Sequence, residues 1–164
     1  MPLSLVRIDD RLVHGQVVAG WIPHLRAEEV LVACDAAAAD PTQVLLMRLA
    51  LPDAVELNVL PVAQAARHPV LRGSHPARVL VLASGPREVL GLLENGARFS
   101  SVNVGGLHHT AGRVQLGKAI FLSEADKTAL KEISRRGVRL EGRALPAERA
   151  LDILDLLGAE ARPA

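Results

Sequence analysis

Short aliphatic runs alternate along most of the chain with stretches whose apolar residues recur at helical spacing. The runs at residues 3–8, 30–34, 55–60, 79–83, 101–104, 119–122 and 138–141 predict strands. Between them, the patterns at 15–25, 41–51, 62–67, 86–95, 124–135 and 146–157 predict helices. Several helices carry their own boundary chemistry. Ser123 followed by Asp126 reads as a capping box, Gly137 stands where that helix should stop, and Pro86 and Pro146 suit first-turn positions. Strands that alternate with helices need crossover connections, which make neighbouring strands mostly parallel. The expected class is α/β: one three-layer domain whose mostly parallel, mixed central sheet carries helices on both faces. The stretch 105–118 lacks a helical period, and its Arg113-Val114-Gln115-Leu116 alternation predicts an antiparallel strand or hairpin. With no repeat, low-complexity tract or linker in sight, residues 1–158 read as the domain and 159–164 as a frayed tail.

Composition narrows the possible functions. Of 164 residues, 49% are hydrophobic, which supports a sizeable core, and the formal net charge of +1 gives no field to draw the chain onto nucleic acid or anionic lipid. Trp21, Phe99 and Phe121 are the aromatic residues, too few for base-stacking platforms. The single cysteine, Cys34, follows the run Val30-Leu31-Val32-Ala33 and is expected to be a packed core thiol in a reducing compartment. The N-terminus lacks the marks of a signal peptide, and no segment has the ~20 apolar residues a membrane span requires. The expectation is a soluble cytoplasmic chain.

In open α/β sheets ligands bind beyond the carboxyl ends of the strands, and anions favour the start of the following helix. The first such loop reads Arg7-Ile8-Asp9-Asp10-Arg11-Leu12-Val13-His14-Gly15-Gln16-Val17, the densest polar constellation in the chain. An imidazole there can accept a phosphoryl group if one nitrogen is free and the other is held by an acceptor. Asp9 or Asp10 would orient His14, and Arg11 or Arg7 would clamp the phosphoryl oxygens in the bidentate manner of a guanidinium. Gly15 and Gln16 would offer helix N-terminal N–H groups. The alternative is a surface ion-pair turn of Asp9, Asp10 and Arg11, with His14 capping the helix.

A second cluster, Asn103-Val104-Gly105-Gly106-Leu107-His108-His109, follows a predicted strand and is expected on the same rim, its glycines freeing the backbone to wrap a ligand or partner. The adjacent histidines suggest a metal site, but neighbours in an extended segment face opposite ways and no spaced third ligand accompanies them, so no metal is expected. His24, His68 and His75 stand beside turns and prolines, where solvated or capping roles are the default. Other motifs fail on inspection. A histidine phosphatase would carry arginine where Val13 precedes His14. The near P-loop at 112–119 has Ala119 in place of the magnesium-binding hydroxyl.

The first motif, with Trp21 just after it, resembles the opening of the IIB subunits of the mannose/fructose/sorbose family of the bacterial phosphoenolpyruvate-dependent sugar phosphotransferase system. Asn103-Val104-Gly105-Gly106-Leu107-His108, then Gly112, then Ile120-Phe121-Leu122-Ser123 with Asp126, is similar to that family's second signature. The resemblance implies an enzyme of phosphoryl transfer: His14 accepts phosphoryl from a phosphohistidine on a IIA domain and passes it to a sugar entering through IIC and IID membrane subunits. Arg11 would stabilise the group in transit. No cofactor or metal is implied, the site would be cytoplasmic at the inner membrane face, and a homodimer is compatible. A regulatory module of the same fold, signalling through its phosphorylation state, is the alternative. Arg113, where many relatives carry lysine, and the doubled His108-His109 bear on partner and sugar preference.

Overall fold

The computed structural model describes residues 3–108, 114–117 and 120–161. A seven-stranded sheet has the order β3-β2-β4-β1-β5-β8-β9, from β1 (Leu3–Asp9), β2 (Glu29–Ala33), β3 (Glu56–Leu60), β4 (Val79–Ala83), β5 (Ser101–Gly106), β8 (Arg139–Gly142) and β9 (Leu151–Asp152). All neighbours are parallel except β9, which runs antiparallel to β8, so the sheet is mixed as expected. β6 (Val114–Gly117) and β7 (Ile120–Leu122) form the antiparallel hairpin that the alternation predicted. The central strands β2 and β4 are buried along their whole length, which is why they read as continuous aliphatic runs.

Two apolar layers sandwich the sheet. One gathers Ile8, Leu31, Val81 and Val104 against Val89 and Leu92 of α5 (Pro86–Glu94), Leu130 and Ile133 of α6 (Glu124–Arg135), and Ile153 and Leu157 of α7 (Ile153–Ala161). The other gathers Val30, Val32, Leu80 and Leu82 against Val17, Trp21 and Ile22 of the first helical segment and Met47 of α3 (Pro41–Ala50). The capping box at Ser123 and Asp126 forms in both directions, Gly137 takes the left-handed backbone (φ 85°) after α6, and Pro86 opens α5. Cys34 is a buried thiol in the second layer, just after β2. No described helix is long and apolar enough to cross a membrane.

Three expectations need correction. The first helix is not a regular α-helix: Val17–Trp21 is a π-helical turn, in which Ile22 N–H bonds the Val17 carbonyl, before α1 (Ile22–Leu25). Pro23 has no N–H with which to continue an α-helical ladder through this point, which favours the wider turn. The helix expected from Pro146 starts only at Ile153, after an irregular segment over 143–150 that is held by the Arg143 and Ala144 carbonyls accepting from Arg7 and Trp21 and by Arg143 donating to the Pro146 carbonyl. At the other end α7 continues to Ala161, past the boundary expected at 158. The short helices α2 (Asp35–Ala38) and α4 (Val62–Ala65) and the 3₁₀ turn Pro69–Arg72 complete the described elements. The hairpin residues Gly112 and Arg113, and Lys118, Ala119 and His109, lie outside the described residues, as do 162–164.

Candidate functional site

The register of β1 against β5 builds the site. Arg7 pairs with Asn103 and Ile8 with Val104, but Asp9 pairs with Gly106, so the ladder skips Gly105. Into the space beside Gly105 runs the Arg7 guanidinium, so close that a Cβ at Gly105 would lie 1.9 Å from Arg7 Cζ. The strand therefore carries glycine there to make room for a side chain from its neighbour.

Arg7 is fully buried. Its Nη1 donates to Asn103 Oδ1 (2.5 Å) and the Arg143 carbonyl (2.9 Å), and its Nη2 donates to Asp9 Oδ2 and the Ala144 carbonyl, both at 3.1 Å. The Trp21 ring lies 4.9 Å from its Cζ, and the indole N–H donates to the same Ala144 carbonyl. Asn103 in turn donates to Glu141, which accepts from Arg143. This arrangement corrects the expectation that Arg7 meets a phosphoryl group: four of its five N–H groups are spent inside the protein, and it braces Asp9 from below.

Asp9, also fully buried, accepts from His14 Nε2 at 2.7 Å through the same Oδ2 that Arg7 holds, and from the Arg11 amide through Oδ1. Burial by itself would raise the Asp9 carboxyl, but the hydrogen bond and charge of His14, together with Arg7 and the Arg11 amide, hold it below its ordinary 3.8. Burial pulls the Arg7 guanidinium below its ordinary value too, opposed by Asp9; a guanidinium still stays protonated. Because the folded value of Asp9 is depressed, its stabilisation is complete above the unfolded value and is lost as pH falls through the folded one. Asp9→Asn should therefore cost about 2 kcal/mol near neutrality, with the gap to wild type closing below about pH 4. Denaturant titrations at several pH values measure this, and a gap constant down to pH 3 would detach Asp9 from the ion pair.

The chain turns sharply after β1. Leu12 N–H bonds the Asp9 carbonyl, and Leu12 adopts a left-handed backbone (φ 58°) that costs a branched residue energy and is held by burying its side chain at 2% exposure. His14 emerges from this turn with its side chain 14% exposed, and among the described residues its Nδ1 makes no hydrogen bond. Arg11 is exposed, and its guanidinium forms no ion pair among the described residues; Gly15 and Gln16 are exposed at the start of the following helical segment. Beside them opens a cavity of about 350 Å³ lined by Gln16, Gly105, Arg143, Glu148 and Arg149, among others.

The two candidate aspartates have different partners. Asp10 reaches the second loop: its carboxylate accepts from the His108 amide (2.7 Å) and meets His108 Nδ1 (2.5 Å), tying the first loop to the second. Gly105 and Gly106 sit within β5, where a Cβ on Gly106 would crowd His108 and Asp9, so both reserve internal space for neighbouring side chains. Asn103 came with the sequence motif, but Glu141, Arg143 and the Ala144 carbonyl carried no local signal.

Comparison with known proteins agrees with this geometry. Residues 3–163 match the family model described as PTS system sorbose subfamily IIB component. The chain is 35% identical over 160 residues to the mannose-specific EIIAB component of Escherichia coli K12, covering 96% of this chain and 49% of that protein, so it spans about half of that relative's length. It is 31% identical over 155 residues to the sorbose-specific EIIB component of Klebsiella pneumoniae, covering 94% of each. The crystal structure of the IIBSor domain of the sorbose permease from Klebsiella pneumoniae superposes with a TM-score of 0.89 at 30% identity, over 99% of this chain and 100% of that one.

Proposed function

The chain belongs to the sorbose subfamily of IIB components of the phosphotransferase system, and from that membership we propose that it carries a phosphoryl group on His14 between a IIA phosphohistidine and a sugar. The observation that supports this most is the Asp9–His14 pair. A carboxylate held by a buried guanidinium accepts the Nε2–H of His14, which leaves the in-plane lone pair on Nδ1, the nitrogen without a described partner. Nδ1 is then the nucleophile: it attacks phosphorus in line as the P–N bond to the donor imidazole breaks, and in a second transfer a sugar hydroxyl attacks the phosphorus as the P–Nδ1 bond breaks, its proton passing to a base. Passing phosphoryl between two imidazoles is nearly isoenergetic, so catalysis consists of alignment and charge balance.

Arg11 supplies that balance. It is the exposed guanidinium of the loop, free to fold over the phosphoryl oxygens, with the amides at Gly15 and Gln16 beside it. Arg11→Lys keeps the charge and loses the planar fork, so transfer should slow by about tenfold in single-turnover assays; equal rates would remove Arg11 from the mechanism. Asp10 and His108 set the position of the second loop on the rim where a donor would dock. A IIA domain as donor is supported by the mannose relative, whose name joins A and B components in one longer chain. Delivery to sugar through IIC and IID subunits places the working protein at the cytoplasmic face of the membrane.

The test is direct. Purified chain is incubated with phosphoenolpyruvate, the general phosphotransfer proteins and a mannose-family IIA, and acid-labile phosphate is sought on His14 by mass spectrometry. Phosphate on His14 is expected. Its absence with several active IIA partners would overturn the carrier reading, and retention of phosphate when sugar and membrane subunits are added would favour a regulatory module.

A further inference from the structure

At the end of the sheet opposite His14, the carboxylate of Glu29 is buried at the start of β2 (3% exposed), with no guanidinium or ammonium paired to it among the described residues. A buried anion needs a compensating cation. Its surroundings are two imidazoles and an amide. His68 Nε2 lies 2.7 Å from Glu29 Oε2, His75 Nε2 lies 3.2 Å from Oε1, and Asn58 Nδ2 donates to Oε2 at 3.1 Å. The two histidine rings stand 4.9 Å apart, and the three donor atoms all lie within 4.8 Å of one another.

The hydrogen bonding distinguishes a proton from a metal ion as the missing cation. His68 Nδ1 accepts from the Val70 amide at the start of the 3₁₀ turn, the capping role expected of it, so its ring is the neutral Nε2–H form. A protonated His75 would aim an N–H at the carboxylate. Instead its Nε2 is buried and, despite the 3.2 Å approach, aligned for a hydrogen bond with nothing among the described residues. Three atoms able to ligate a metal thus lie close together around a buried carboxylate, one of them, His75 Nε2, without a hydrogen-bond partner among the described residues.

We propose that Glu29, His68 and His75 form a binding site for a divalent metal ion of the zinc class. Two imidazoles and one carboxylate are a set that suits zinc, with a fourth position left for water. Asn58 orients the carboxylate from the second layer of contacts. His75 also lines an open groove of about 600 Å³, which gives the ion a route in. Loading shifts the His68 proton from Nε2 to Nδ1, so the bond from the Val70 amide is lost. The ion would fasten the segment carrying the 3₁₀ turn and His75 to strands β2 and β3, far from the phosphoryl chemistry.

Zinc sulfate titrated into the whole chain by calorimetry should bind one equivalent. His75→Gln and Glu29→Gln should each weaken binding about tenfold or more, while His75→Gln still accepts phosphoryl. In wild-type chain the Val70 amide resonance should move in step with zinc; this readout stands even if a variant fails to fold. No saturable binding, binding unchanged in His75→Gln, or a still Val70 amide would overturn the site. So would a zinc-independent rise in melting temperature as pH falls through the imidazole range, which would make the cation a proton.

Discussion

His14→Ala is expected to abolish phosphoryl acceptance, by about 10³-fold or more, while the protein stays folded. Each half of this expectation follows from a contact. The imidazole is the nucleophile-bearing group of the loop, and Asp9, Asp10 and Arg11 offer no nitrogen that forms a transferable P–N bond of similar energy. Its structural share is a single hydrogen bond to Asp9. Losing that bond should cost about 1 kcal/mol, because Arg7 keeps the carboxylate paired. The check is the phosphoryl-transfer assay alongside urea denaturation. A folded His14→Ala protein that accepts phosphoryl at an unchanged rate would end the assignment of His14.

Gly105→Ala is expected to have the largest effect on stability, a loss of about 4 kcal/mol. The added methyl would sit 1.9 Å from Arg7 Cζ and scarcely farther from both terminal nitrogens. Neither neighbour can yield: one is backbone of a central strand, and the other is a guanidinium tied to Asn103, Asp9 and two carbonyls. Overpacking alone costs about 1–3 kcal/mol, and prying apart a buried ion pair costs about 3–5 kcal/mol. Against a total stability of ~5–15 kcal/mol, that is a severe change. Urea denaturation measures it, and pairing the change with Arg7→Met tests the cause. If crowding of the guanidinium is responsible, the double variant is less destabilised than the sum of the singles. A Gly105→Ala protein within about 1 kcal/mol of wild type would disprove the argument.

What the sequence revealed and concealed follows from the range of the interactions involved. The α/β order, the Ser123 cap, the stop at Gly137 and the hairpin at 114–122 are set by residues within a few positions of one another, and all are legible as patterns. The loop from Arg7 to Val17 was visible as a constellation, and His14 stood out in it as the candidate to carry a phosphoryl group. The roles of its other members were not visible. Asp9 and Asp10 are neighbours in sequence, but one closes a strand facing inward and the other starts a turn facing His108, 98 residues away. Arg7 looked like a phosphate clamp because its type suits one; only the approach of Asn103 and the carbonyls of Arg143 and Ala144, across separations of 96 to 137 residues, shows it to be internal. The late start of the helix expected from Pro146 was hidden in the same way, because the segment before Ile153 is tied down at Arg143 and Ala144 by Arg7 and Trp21, more than 120 residues away.

Beneath the loop the charges come in pairs, Arg7 with Asp9 and Arg143 with Glu141. These pairs have no charge to give a phosphoryl group, which carries about −1.5 to −2 at neutral pH, so that charge falls to Arg11 on the surface of the loop. On a chain of formal charge +1, a cargo on His14 would reverse the sign of this chain's net charge. Loaded and empty forms would then be told apart at a distance, before any surfaces touch, so the direction of traffic between donor and recipient could be biased by attraction and repulsion with no change of shape.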